Sequence, residues 1–440
     1  MYPIWEVPYI SAGMILAFIA TFHILPSHLT IGAMWFNVYV ETKAYRENRP
    51  ELLEFIKKYS LFLLVFSYIL GSLTGIGIWF AATSAGPRAI SGLIHNYVWG
   101  WATEWVFFII EVTGIFLYYY TLNKVDRKTH LNIGWIFTIS SWITMIVIVG
   151  ILTFMLTPGK WVDTGNFFDG FFNQSYWFQL FIRTAFMFSI AAIFAIAVAT
   201  KLTKSDVKRF IMKTAAQWGL ISIVVSCIIT YFYLQVLPDA AKELLKTIVH
   251  NHLKNGIFIS LSLMSLYFIY VWVKPDTIKL IPAIIAIFVL FGSIWSGERI
   301  REIIRKPYVI SKYMYSNQII GHNIPAKGVV SEDSVLNQKG ILKIIPFIPE
   351  GLREITENNL LQAGKMLALI ECSSCHALQP KGLRPLSEMA KRMSLDNISA
   401  AEDFLDIVGN WQYMPPFYGT EQEEHALAAY LVSLTKEGVK

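Results

Sequence analysis

The sequence predicts an all-α protein: a polytopic bundle of about eight transmembrane helices followed by a C-terminal soluble module. Composition is the first reason. Of 440 residues, 55% are hydrophobic and only 15% charged, where soluble domains carry nearer a quarter charged. Run length is the second. The apolar stretches reach about 20 residues, enough at about 1.5 Å per residue to cross a bilayer as helix. The third is a change of pattern after Trp295, from long apolar runs to a charged stretch, an aperiodic segment and then short amphipathic periods.

The expected spans are Ser11–Val40, Leu61–Ala82, Tyr97–Leu122, Leu131–Leu156, Tyr176–Thr200, Trp218–Val236, Gly256–Val273 and Leu280–Trp295. The last is short for a crossing. The chain then divides into a transmembrane domain over 1–305, an extended linker over 306–349 and a soluble domain over 350–440. The opening MYPIWEVPYISAGM has no basic n-region and no cleavage site, so the first span is expected to act as the targeting signal.

The connections after the first, third, fifth and seventh spans hold fifteen Lys and Arg, and the opposite connections hold five. The positive-inside rule assigns the richer set to the cytoplasm. The N-terminus and everything after Trp295 are then periplasmic, on a bacterial inner membrane. The net charge of +6 lies in these short loops and not in a basic patch interleaved with aromatics, which argues against nucleic acid as a partner. Of three cysteines, Cys227 lies in an apolar run and reads as a small core residue. The other two, Cys372 and Cys375, are a close pair, and no disulfide framework can be built from the set.

The segment Glu371-Cys372-Ser373-Ser374-Cys375-His376 contains C-x-x-C-H. Two thiols at this spacing add across the two vinyl groups of one haem, and the adjacent His supplies the proximal iron ligand. Tyr413-Met414-Pro415-Pro416-Phe417 follows about 40 residues later, and Glu423–Leu434 reads as a closing amphipathic helix. The set resembles the class I cytochrome c family, where a Met before a Pro-Pro pair is the distal ligand. The resemblance implies one covalent haem c, with His376 and Met414 on its iron. The competing reading is a zinc site or redox dithiol, and it lacks a second Cys pair.

Ionisable residues inside spans are costly and default to functional candidates. His23 is one; the bland reading is a hydrogen-bonded core histidine. His28, five residues on, points about 140° away round the helix, so the two are not expected to share one metal. Glu104 and Glu111 are seven residues apart, within about 20° of one helix face and about 10 Å along it, which suits a proton relay or a haem contact. The bland reading is a pair neutralised by Arg or by protonation. Arg183 reads as a partner for a carboxylate or a haem propionate, or as a cation snorkelling to water. Glu298, Arg301, Glu302 and Arg305 are spaced as an i, i+3/i+4 ladder, whose bland reading is a solvated helix end. The many aromatics read as lipid-facing or interfacial belts.

The membrane part also resembles subunit I of the cytochrome bd oxidase family, a membrane quinol-oxidising oxygen reductase. The matching strings are Phe22-His23 with Leu29-Thr30-Ile31-Gly32, Gly71-Ser72-Leu73-Thr74-Gly75, Phe107-Phe108-Ile109-Ile110-Glu111 and Glu302-Ile303-Ile304-Arg305-Lys306-Pro307-Tyr308. They are collinear and cover about residues 10–310. The resemblance implies that His23 and Glu302 are axial ligands of the two haems of a dihaem oxygen site, b-type (or d-type). It implies Glu111 and Glu104 as an acidic pair beside them, and Arg305 as an arginine near the propionates. The sequence departs from the family three times. Arg183 stands where a fifth-span His holds a low-spin b haem, with His250 or His252 as candidate replacement ligands near the start of the seventh span. The quinol-binding loop between spans six and seven is cut to about Leu237–Lys254. The ninth span is missing, and the cytochrome c module stands in its place.

These readings combine into a respiratory oxidoreductase subunit. A periplasmic cytochrome or other redox subunit reduces the c haem, electrons pass to the membrane haems, and oxygen is reduced there. A second integral membrane subunit is the implied partner. The alternative is an electron-transfer membrane anchor of a larger respiratory complex with no oxygen chemistry. A haem-bearing redox sensor is a third reading, without a recognisable output domain.

Overall fold

Ser11 starts the bundle. Its hydroxyl accepts from the Met14 backbone N–H at 3.2 Å, capping the first long helix. The computed structural model describes residues 4–436. Among them, eight helices are long and apolar enough to span a membrane: α1 (Ala12–Arg46), α2 (Leu52–Ala85), α3 (Pro87–Thr121), α4 (Arg127–Phe154), α5 (Tyr176–Ala199), α6 (Ser205–Val236), α7 (Asn251–Val273) and α8 (Leu280–Ile303). The number is the one expected, but six ends lie five or more residues beyond those expected: the starts of α2, α3, α6 and α7 and the C-terminal ends of α1 and α8. α1 continues through Glu41, which was expected in a loop and is fully buried. α8 continues through the charged stretch to Ile303, because its charges pair within the protein and need not leave the helix.

Punctuation in the sequence accounts for the other boundaries. Gly86-Pro87 opens α3 with proline at its first turn, and Asp126 caps α4 by accepting from Thr129 N–H at 3.0 Å. α2 carries a π-helical turn at Leu63–Ser67, a distortion that favours functional regions. α5 packs against α1 and α6, α3 against α4, and α7 against α6 and α8. Leu29, Phe36, Ile193 and Phe268 belong to the main core. α2 buries little of its length, and Leu73 and Ile76 point outward. Cys227 also faces outward on α6, so it is a surface residue of the bundle and not the core residue expected. Burial on an apolar helix depends on which side meets a neighbour, and an all-round apolar run carries no such mark.

The segment after α8 is folded, where an extended linker was expected. Strands β1 (Tyr308–Ile310) and β2 (Met314–Tyr315) form a small antiparallel hairpin, and short helices cover Asp333–Lys339 and Ile341–Ile344. Ile310, Tyr313, Met314 and Ile324 enter a core shared with α3 and α4. Leu336, Ile341, Leu342 and Ile345 enter the core of the C-terminal module. Arg88 at the start of α3 forms a two-pronged ion pair with Glu332, at 2.8 and 2.7 Å. This segment has no helical period because its apolar residues alternate between two cores.

In the C-terminal module, α9 (Leu360–Glu371), α10 (Leu386–Arg392) and α11 (Ile398–Ile407) each pack on the closing helix α12 (Glu421–Lys436). Glu423 of α12 is buried and accepts the N–H groups of Ile341 and Leu342 at 2.9 and 2.7 Å. Gly340 (φ +85°) has no Cβ because one would lie 2.7 Å from that carboxylate.

Candidate functional site

α9 ends at Glu371, and the chain turns back on itself. The N–H groups of Cys375 and His376 donate to the Cys372 carbonyl at 3.1 and 3.0 Å. This turn presents both thiols and the imidazole to one apolar pocket. Met414 lies on the same pocket, with Leu386, Leu405, Phe417 and Leu431 among its walls. The four side chains singled out in the sequence are therefore brought together, across about 40 residues of chain. His376 Nδ1 donates to the Arg384 carbonyl at 3.2 Å, which leaves the Nε2 lone pair for a metal. Desolvation in the pocket holds this imidazole below its usual pKa, so it is neutral near pH 7. Two thiols, a neutral imidazole and a thioether around an apolar slot are the donor set that a covalently attached haem requires.

The Cys loop is held by the bundle. The N–H groups of Ala12 and Gly13, in the first turn of α1, donate to the carbonyls of Ser373 and Ser374 at 3.2 and 3.1 Å. Helix-start N–H groups have no partner within their own helix, and the loop supplies one. Beside this contact, Cys375, Arg384 and Tyr413 of the module face Ser11, Arg299, Glu302 and Lys306 across a narrow cleft. Glu302 is buried there with both carboxylate oxygens engaged, by Arg299 at 2.7 Å and by Lys306 at 3.3 Å. The ladder at the end of α8 is thus an interior network and not the solvated helix end of its bland reading. Glu298 pairs with Arg301 at 2.6 Å and with Arg183 at 3.7 Å. Arg183 so takes the carboxylate option, and its Nη1 also donates to His28 Nε2 at 3.4 Å. Arg305 donates to Met155 Sδ at 3.6 Å, and its buried Nε has no partner among the described residues.

Further into the bundle, His23 Nδ1 lies 3.1 Å from both the Gly71 carbonyl and Thr74 Oγ1. The Gly71–Gly75 string is therefore the surface that orients this imidazole. A Cβ at Gly75 would lie 3.3 Å from His23 Cε1, tighter than most real contacts. With the Nδ1 proton on Gly71, Nε2 is the free ligand atom. His23 and His28 diverge to different partners, as their spacing requires. Glu111 is buried and accepts from Tyr68 OH at 3.2 Å, and Glu104 is half-buried two turns away on α3. His250 and His252 are exposed at the start of α7 and stack on each other, with ring centroids 5.3 Å apart. The structure does not bring this pair to Arg183.

Sequence reasoning missed three groups. Arg299, Lys306 and Arg384 line the junction cleft; the first two had a signal in the four cations set against two acids over residues 298–306, and Arg384 had none. Tyr68 reaches Glu111 from α2, which only tertiary packing reveals. At the opposite end of the bundle, Glu41 accepts from Tyr118 OH at 2.7 Å and from His130 Nδ1 at 2.6 Å, while His130 Nε2 donates to the Tyr118 carbonyl at 2.9 Å. Each ring nitrogen of His130 meets an oxygen acceptor, as an imidazolium requires.

No curated protein matches the chain. Among solved structures, bd oxidase from Geobacillus thermodenitrificans shares the fold, with a TM-score of 0.60 at 12% identity over 74% of this chain and 91% of that one. The model of the family described as cytochrome bd terminal oxidase subunit I matches residues 12–237, which include His23, the Gly71–Gly75 string and Glu111. With an eight-span bundle of the same fold and a family match over half its length, this chain belongs to the cytochrome bd terminal oxidase subunit I family.

Proposed function

We propose that this membrane respiratory oxidase subunit takes electrons through a covalent haem c in its C-terminal module and delivers them to haems in its bundle, where oxygen is reduced. The family implies haem b and admits haem d. The observation that carries the proposal is the convergence of Cys372, Cys375, His376 and Met414 on one pocket whose Cys375 edge abuts the Glu302 cleft. Haem supplies the one-electron chemistry and oxygen binding. The chain supplies the rest. Cys372 and Cys375 anchor the c haem, and His376 and Met414 flank its iron. His23, oriented by Gly71, and Glu302 are the bundle ligands. Glu111 and Glu104 carry protons, with Tyr68 as the hydrogen-bond partner of Glu111. Each oxygen molecule takes four electrons and four protons to give two waters.

The charge asymmetry of the loops supports a periplasmic N-terminus and module, and the hydrogen bonds from α1 to the Cys loop agree, since an even number of spans returns the chain to its starting side. A soluble periplasmic redox protein is then the electron donor and a second integral membrane subunit the partner. A second reading, an electron-transfer anchor without oxygen chemistry, is favoured by Glu302, both of whose oxygens already have cationic partners. A pyridine haemochrome spectrum with CO difference spectra on the purified complex separates the two. The oxidase reading expects haem c plus b- or d-type haem, with a CO response in the dithionite-reduced protein that His23→Ala and Glu302→Ala each diminish. A wild type blind to CO overturns it in favour of the anchor.

A further inference from the structure

Six of the nine histidines lie in the bundle, and the structure places each of them. His23 is half-buried, with Nδ1 at the Gly71 carbonyl and Nε2 free. His130 is buried with both ring nitrogens on oxygen acceptors. His95 is exposed near the start of α3, its Nδ1 donating to the Ser91 carbonyl at 2.8 Å. His250 and His252 are exposed and stack on each other. His28 is buried, but its Nε2 accepts from Arg183 at 3.4 Å and its Nδ1 lies 3.3 Å from Ser27 Oγ. Arg183 itself has no lone pair to offer a metal. Its side chain is 14% exposed and pairs with Glu298, which Arg301 holds from the other side at 2.6 Å. Such a pair resists being opened, because the survivor is left as an uncompensated buried charge. The helices that carry this network also leave little room beside it. One turn further along, a Cβ at Gly32 of α1 would run into the Met187 carbonyl of α5.

We infer that the bundle holds no low-spin haem, and that haem c is the single low-spin electron carrier of this chain. The low-spin b haem of the family calls for a fifth-span imidazole, and the residues at that corner do not fit it. A guanidinium stands there, locked to a carboxylate of α8, and the neighbouring imidazole of His28 is already hydrogen-bonded to it. The exposed pair at the start of α7 does not reach the corner. A low-spin haem needs a strong ligand on each face, as His and Met provide in a cytochrome c. Of the six bundle imidazoles, only His23 is both shielded from solvent and free at one ring nitrogen. The inference rests on the proposed function for the presence of haem c. It goes beyond that reading by removing an intermediate carrier: an electron that leaves haem c passes next to a haem of the oxygen site.

Low-temperature electron paramagnetic resonance of the oxidised, purified complex tests this by spin state and not by turnover. The expected result is one low-spin ferric haem for each covalent haem in the wild type. None is expected in Cys372→Ala combined with Cys375→Ala, whose b- or d-type haem stays high-spin. A second low-spin ferric haem in the wild type overturns the inference, as does a low-spin signal that persists in the double variant. If the double variant fails to assemble, the wild-type count decides alone. CO binding to the reduced protein reads the proposed function separately. A CO response beside a second low-spin haem overturns this inference and leaves the oxidase reading in place. A protein blind to CO with no second low-spin haem overturns the oxidase reading and supports this inference.

Discussion

The backbone N–H of Gly13 donates to the carbonyl of Ser374 at 3.1 Å, so the first turn of the first span holds the loop between Cys372 and Cys375. A Cβ on Gly13 would lie 2.6 Å from Glu302 Oε1 and 3.1 Å from that same carbonyl. Glu302 is pinned by two cations and cannot swing aside freely. Gly13→Ala should therefore destabilise the junction by about 1–3 kcal/mol, the usual cost of overpacking. The expected readouts are a lower melting temperature and faster proteolytic release of the module. A variant indistinguishable from wild type in both would show that the contact is dispensable.

Cys372→Ala combined with Cys375→Ala should abolish haem that survives denaturation while leaving the bundle intact, because the module and the bundle have separate cores. Haem staining of the denatured polypeptide is the measurement. Any persistent stain in the double variant places the covalent haem elsewhere.

Met414→His should lower the midpoint potential of haem c, since an imidazole replaces a thioether that favours the reduced iron. Met414 lines the same pocket as Cys372, Cys375 and His376. An unchanged midpoint in a redox titration would mean that another residue is the distal ligand.

Burial pushes the Glu371 carboxyl up to about 8, although Asn317 Nδ2 donates to it at 2.6 Å. Its folded pKa lies above the unfolded value near 4.5, so the folded state binds the extra proton between those limits. Stability should then fall as pH rises from about 4.5 to about 8, with the penalty fully present above that. Glu371→Gln should flatten this part of a melting-temperature profile for the full protein. A profile with the same slope in the variant would refute the assignment.

His130→Ala should cost about 1–3 kcal/mol, because it leaves one oxygen of the fully buried Glu41 without its hydrogen-bond partner. Adding Glu41→Gln to that variant should recover part of the loss, since the two residues form one network. Thermal melts of both variants decide the matter, and strictly additive losses would contradict the pairing.

The eight spans and the C-x-x-C-H loop with its distant Met414 were legible in the sequence, whereas the polar or charged extensions of several helices beyond their apolar runs were not. Each depends on a pattern local to the chain: run length for a span, spacing for the haem motif, Gly-Pro or a capping Ser for a boundary. His23 and Glu111 were legible as charges that an apolar helix tolerates only for a reason. Their partners were not, because Gly71 and Tyr68 lie on another helix and nothing in either string indicates which faces meet. The folding of residues 306–349, whose apolar side chains serve two cores, was hidden in the same way. So was the fate of Glu302. In the sequence it read as one rung of a ladder with Glu298, Arg301 and Arg305, or by resemblance as a haem ligand, and its partners Arg299 and Lys306 were not singled out. Only the docking of the Cys loop onto the first turn of α1 encloses that rung and turns a helix end into a buried, cation-rich junction. A charged side chain's environment is set by what covers it, and the covering element lies some 70 residues further along the chain.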